Sequence, residues 1–161
     1  MSTPEIVVKV QKAETMQEEM RELHEQIAHR AYEIYLERGA LTGRDLDNWL
    51  AAEQELVWKP AVEILEKNNQ LMIQVAIAGI EAGDFIVRMT EDHLLIKSER
   101  THTHGDEQAM VHLCEFRSGP VFRLIHFPQK LDPATVEVDY GNGLLQLKAA
   151  LAEEKVARAA A

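Results

Sequence analysis

Cysteine is nearly absent: Cys114 is the only one in 161 residues, so no intramolecular disulfide can form. Nor does any apolar run approach the roughly 20 residues that cross a bilayer; Leu71–Val75, among the longest, is already broken by Gln74. Without an apolar segment behind a basic start, a cytoplasmic home is expected and no membrane partner. Lys and Arg do not cluster, and the formal charge of −10 repels phosphate, so no nucleic acid is expected either. Acidic residues exceed basic ones on both sides of Pro60, which reads as a reserve of solubility rather than a local substrate site. Nucleophile elbow, P-loop and Gly-rich dinucleotide turn are all missing, so neither an enzyme nor a cofactor is expected. The acid pairs Glu18-Glu19 and Glu91-Asp92 read as solvated charge on a helix face and in a turn.

What is present divides the chain by period. Met16, Met20, Leu23, Ile27, Ala31 and Ile34 recur at steps of three and four, which predicts a helix of about five turns. After Gly39 and Gly43 the spacing resumes through Leu46, Trp49, Leu50, Leu56 and Val57, with Thr42 or Asp45 available to cap a second helix. Pro60 ends the helical pattern. Beyond it the period is two: Val62 and Ile64; Leu71 to Ile77; Phe85, Val87 and Met89; Leu94 and Ile96; Val136, Val138 and Tyr140; Leu145 and Leu147. The expected architecture is therefore a mainly β chain, an immunoglobulin-like antiparallel β-sandwich preceded by an α-helical hairpin. Its boundaries are an arm (1–15), a helical module (16–59), the sandwich (60–151) and a tail (152–161).

Asn68-Asn69 and Gly141-Asn142-Gly143 mark tight turns, because Asn and Gly accept positive φ. From Val121 to Phe127 both alternating sets are apolar, so this strand should be covered on both faces. Residues 99–108 read as a polar loop, followed by a short apolar strand, Ala109–Cys114, suited to pairing with a second copy. Met110, Val111 and Leu113 are its apolar residues, and Arg123, a lone charge among apolar neighbours, should find an acidic partner across the same dimer contact or lie at the sheet surface. His102, His104, His112 and Cys114 include metal-ligand types, but their spacing matches no closed zinc pattern, so no metal is expected there.

Four motifs carry a resemblance. Val138–Leu145 is similar to A-x-x-x-N-G-V-L, and Gly119–Pro128 to G-x-F-x-R-x-F-x-L-P with Arg123 and Pro128 kept. Ile77–Val87 resembles L-P-G-V followed by an acidic-apolar-x-V, with Ala78 for the proline, and Leu94–Arg100 resembles L-x-I-x-G-E-R. In this order they resemble the α-crystallin domain of small heat-shock proteins. The resemblance implies an ATP-independent chaperone that holds partly unfolded client proteins, works as a dimer or larger homo-oligomer, and needs no nucleotide. The alternative is an adaptor whose sandwich edge and helical module bind specific folded partners. Glu25–Leu56 is similar to a small bacterial helical module of unknown function, through Arg30–Tyr35 and Asp47–Glu53.

The resemblance also implies an apolar slot for clients, lined by Phe85, Val87, Met89, Val136 and Val138, which family members close with an I-x-I tail. After Leu147 this chain has no such pair: Leu151 and Val156 are too far apart. Ile6, Val8 and Val10 have the required spacing at the other end, so the arm is expected to close the slot through Ile6/Val8 or Val8/Val10.

Overall fold

The computed structural model describes residues 6–10, 13–98, 104–116 and 120–153. A short strand β1 (Val8–Val10) is followed by helices α1 (Ala13–Glu37) and α2 (Asp45–Leu56). Seven further strands follow among the described residues, making eight with β1: β2 (Val62–Lys67), β3 (Gln70–Ala76), β4 (Ile86–Met89), β5 (His93–Ser98), β6 (Val121–His126), β7 (Glu137–Gly141) and β8 (Leu144–Ala150). They form two four-stranded sheets, ordered β1-β4-β5-β6 and β2-β3-β8-β7.

Local chemistry sets the turns. Asn68 and Asn69 both adopt positive φ, 52° and 60°, and join β2 to β3 in a two-residue hairpin; Asn142 and Gly143, at 53° and 76°, do the same for β7 and β8. Gly143 is fixed twice over, because a Cβ there would lie 2.9 Å from the Cβ of Ala78. Helix α1 ends in a Schellman motif: Gly39 sits at φ 82°, its N–H donates to the Leu36 carbonyl, and the Ala40 N–H donates to Tyr35. Helix α2 departs from expectation. Arg44, not Thr42 or Asp45, is its N-cap and offers no side-chain hydrogen bond, while Asp45 and Asp47 in the first turn complement the helix dipole.

Alternation along the strands fills the space between the sheets. Leu71, Ile73, Val75 and Ile77 meet Val87, Met89, Leu94, Ile96, Val121, Ile125, Leu145 and Leu147 in one buried cluster. A second, smaller cluster holds the hairpin together: Ile27, Ile34, Ala52 and Val57, with Leu23, Trp49, Leu56 and Phe122 packed against it. Phe122 belongs to β6, so the outer face of the first sheet is where the hairpin docks. Leu95 on β5 is fully buried although it points away from the sandwich interior. The two-sided apolar pattern of β6 thus has its cause within the same chain. Leu46 and Leu50, expected on the packed face of α2, are exposed instead; Asn48 and Ala52 take that face, and Asn48 accepts a hydrogen bond from Arg38 Nη1 at 2.9 Å.

Charge ties these parts together. Glu19 of α1 pairs with Arg88 of β4 and lies 3.9 Å from Lys97 of β5, all three being largely buried. Its expected role as solvated charge is therefore corrected. Arg30 of α1 clamps Glu55 of α2 through Nε (2.6 Å) and Nη2 (3.3 Å), and its Nη1 reaches Glu33 and Glu37. These bonds raise the Arg30 pKa, with Glu55 the largest cause, and hold the Glu55 carboxyl below its ordinary range.

Candidate functional site

The edge of the first sheet is the place to look, because an unpaired strand edge invites an extended segment. At β4 that edge is occupied by β1, which runs parallel to it with Val8 opposite Val87, Lys9 opposite Arg88 and Val10 opposite Met89. Alternation then divides the arm. Ile6 is only 9% exposed and joins the sandwich core, and Val8 packs against it, whereas Val7 between them faces solvent. Val10 continues the parity and stands opposite Met89, yet is 62% exposed. Ile6/Val8, rather than Val8/Val10, is the buried pair.

The five residues assigned to the slot lie in the same cluster but are not equally accessible. Phe85, Val87 and Met89 are buried, and Val136 and Val138 are half-buried against them. Val87 and Met89 are core residues of the sandwich, with β1 paired along the same strand. Tyr140 finishes the far wall: its ring meets Phe85 edge-on at 5.1 Å. Its hydroxyl lies 2.8 Å from the Ile77 carbonyl and 2.6 Å from that of Ile80, so its one proton is shared between two acceptors. Burial pushes the Tyr140 phenol up, so it stays a donor to higher pH than an exposed tyrosine.

The other expected contact surface lies at 104–116. No strand forms there: Ala109–Cys114 has no neighbouring strand in its own chain, and a ladder needs two. Met110 (79%), Leu113 (77%), Val111 and Phe116 are all exposed, which is unusual for four large apolar residues within seven positions. Arg123 shares the inner face of β6 with Val121 and Ile125, opposite Ile96. Its Nε is buried without a hydrogen-bond partner, and it makes no ion pair among the described residues. Of the candidate metal ligands, His102 lies outside the described residues. Among those described, no three His, Cys, Asp or Glu side chains gather as a metal site, and no helix is long and apolar enough to cross a membrane.

Comparison with known proteins agrees with this geometry. Residues 22–57 match a family described as protein of unknown function (DUF2934), and residues 63–160 match the Hsp20/alpha crystallin family. A probable 15 kDa heat shock protein of Leptospira interrogans is 24% identical over 95 residues, 59% of this chain and 72% of that one. Among solved structures, heat shock protein 16.0 of Schizosaccharomyces pombe shares the fold with TM-score 0.55 at 23% identity, covering 60% of this chain and 89% of that one. A small heat-shock protein of Xylella fastidiosa gives TM-score 0.54 at 26% identity, covering 63% and 93%. The two-sheet sandwich, its slot beside β4 and the family match spanning more than half of the sequence lead to one conclusion: the chain belongs to the Hsp20/alpha crystallin family.

Proposed function

We propose that this protein is an ATP-independent holdase that captures partly unfolded proteins and keeps them from aggregating. The observation that carries the reading is the short arm strand at the edge of β4, three residues long and anchored by Ile6 and Val8. So short a ladder can be exchanged for an extended apolar client segment at little net cost. Capture needs no nucleotide, because burial of apolar area supplies about 25 cal/mol per Å² before ordering costs. The dimer unit is formed through 109–114, with Met110, Val111 and Leu113 buried against a second copy and Arg123 gaining an acidic partner there. The unpartnered Arg123 Nε supports this, since a buried donor without an acceptor is costly.

The test is breadth of capture: heat-induced light scattering of several unrelated model proteins, without nucleotide, should fall in the presence of the full chain. Activity towards none of them would reject the holdase reading. One observation favours the rival adaptor reading. The far end of the hairpin exposes Leu41 and Leu50 around a groove of about 650 Å³ rimmed by Arg38 and Arg44, a surface a specific folded partner could use. For the dimer, Val111→Asp or Leu113→Asp should give monomers by native mass measurement, and an unchanged mass would reject that interface.

A further inference from the structure

Two imidazoles face each other where β5 begins and β6 ends. His93 and His126 are direct cross-strand partners in the antiparallel ladder, on the outer face of the first sheet. Their ring centroids lie 4.6 Å apart and their planes are 35° apart. His126 is exposed and His93 half-buried, so this end of the face is open to solvent.

The backbone holds both residues firmly. Thr90, a buried polar residue, accepts hydrogen bonds at Oγ1 from the N–H groups of Asp92 (3.2 Å) and His93 (3.0 Å). The Thr90 N–H in turn donates to the His93 carbonyl at 2.9 Å. The Asp92 carbonyl accepts from the Phe127 N–H at 2.8 Å, and His126 Nδ1 lies 3.2 Å from the same oxygen. A carbonyl oxygen can only accept, so Nδ1 carries the proton and donates. In the neutral ring Nε2 then holds a free lone pair. A backbone carbonyl fixing one ring nitrogen so that the other is presented is the usual outer-shell arrangement of a metal-binding histidine.

We propose that His93 and His126 form a binding site for one divalent cation of the imidazole-preferring class, copper(II) or zinc(II), with water completing its coordination. Two nitrogens on one tetrahedral ion, each 2.0–2.1 Å from it, stand about 3.3 Å apart, a separation that rings with centroids at 4.6 Å reach when His93 turns about its side-chain bonds and the Asp92 carbonyl keeps His126 in place. Calcium and magnesium are poor fits, because they require sets of oxygen ligands. The formal charge of −10, with Glu91 and Asp92 in the adjoining turn, draws cations to this end of the sheet, although Glu91 is partly offset by Lys130 at 3.6 Å. The ion would staple the 90–93 turn to the end of β6. This site is separate from the loop histidines, since His104 and His112 lie in a different segment.

The test uses the full chain freed of metal by chelator and dialysis, titrated calorimetrically with copper(II) and separately with zinc(II). One ion per chain is expected, with nitrogen ligation visible in the copper EPR spectrum. His93→Asn and His126→Asn should each weaken binding tenfold or more, whereas the double variant His104→Asn/His112→Asn should leave it unchanged. Copper-induced broadening of NMR signals from residues 90–94 and 125–127 reports the same site without any substitution. Loss of binding in the double variant, unchanged affinity in both single variants, or broadening confined to 104–116 would overturn the proposal.

Discussion

The sandwich and the helical hairpin are stabilised by different means. The sandwich has a continuous buried core drawn from five strands (β3, β4, β5, β6 and β8) and from Ile6 of the arm, with β2 and β7 packed against it. The hairpin's apolar cluster has four buried residues, one of them alanine, and depends on Phe122 of the sheet beneath it and on ion pairs at Glu19 and Arg30. The lesson is that the hairpin's outer surface is free to vary while its inner surface is committed to the sheet. It covers an apolar sheet face that would otherwise stand open to other chains.

Substitutions can break this contrast, and the largest effect belongs to the sandwich. Leu145→Ala removes a fully buried side chain between the sheets and should cost about 2–5 kcal/mol; urea unfolding followed by far-UV circular dichroism would show a lower midpoint for the β signal. Ile27→Ala in the hairpin should cost about 2 kcal/mol, near the bottom of that range, because a small cluster relaxes more readily. Hydrogen exchange should then quicken across 13–56 while β3 and β8 stay protected. Equal loss in both regions would show that the hairpin and sandwich unfold as one unit.

Smaller effects sharpen the comparison. Glu19→Gln leaves Arg88 without its countercharge under the hairpin and should destabilise docking by about 1–3 kcal/mol, read as faster exchange at Leu95 with β8 unaffected. Tyr140→Phe removes the donor to the Ile77 and Ile80 carbonyls and should lower stability by about 1 kcal/mol. The raised phenol also sets a pH limit. The protonated form is the one the fold favours, so its contribution is complete below the ordinary tyrosine value and is lost as pH rises through the elevated one. Glu55 has the opposite sign: its lowered pKa means the tie to Arg30 is present above the ordinary carboxyl range and is lost as pH falls through the depressed value. Acid titration should therefore loosen α1 from α2 only below the ordinary carboxyl range, and Glu55→Gln should abolish that late step.

The parts legible in the sequence were those governed by neighbours along the chain. Asn68-Asn69 and Asn142-Gly143 announce hairpins because positive φ is a property of those residues themselves. Strand alternation likewise gives the inner faces directly. Long-range partners were hidden: nothing local at Glu19 points to Arg88, and Arg30 meets Glu55 only once α2 folds back. On α2, Leu46 and Leu50 share the helical spacing of a packed face, but α1 meets the neighbouring face through Asn48 and Ala52. The pairing of the arm was hidden too, since β1 meets β4 nearly eighty residues away in sequence. The histidine pair leaves no mark in the sequence, because 33 positions separate His93 from His126 and only the register of β5 and β6 unites them.

The central claim, that the arm occupies the site at which clients bind, is tested most directly by measuring client capture with and without residues 1–10. The full chain and the shortened chain should be compared, at equal concentrations and without nucleotide, in light scattering of the same heated client. If Ile6 and Val8 hold the slot beside β4, the shortened chain should remain folded and suppress scattering at a lower molar ratio. Identical suppression by the two chains, with the sandwich intact in both, would contradict the claim.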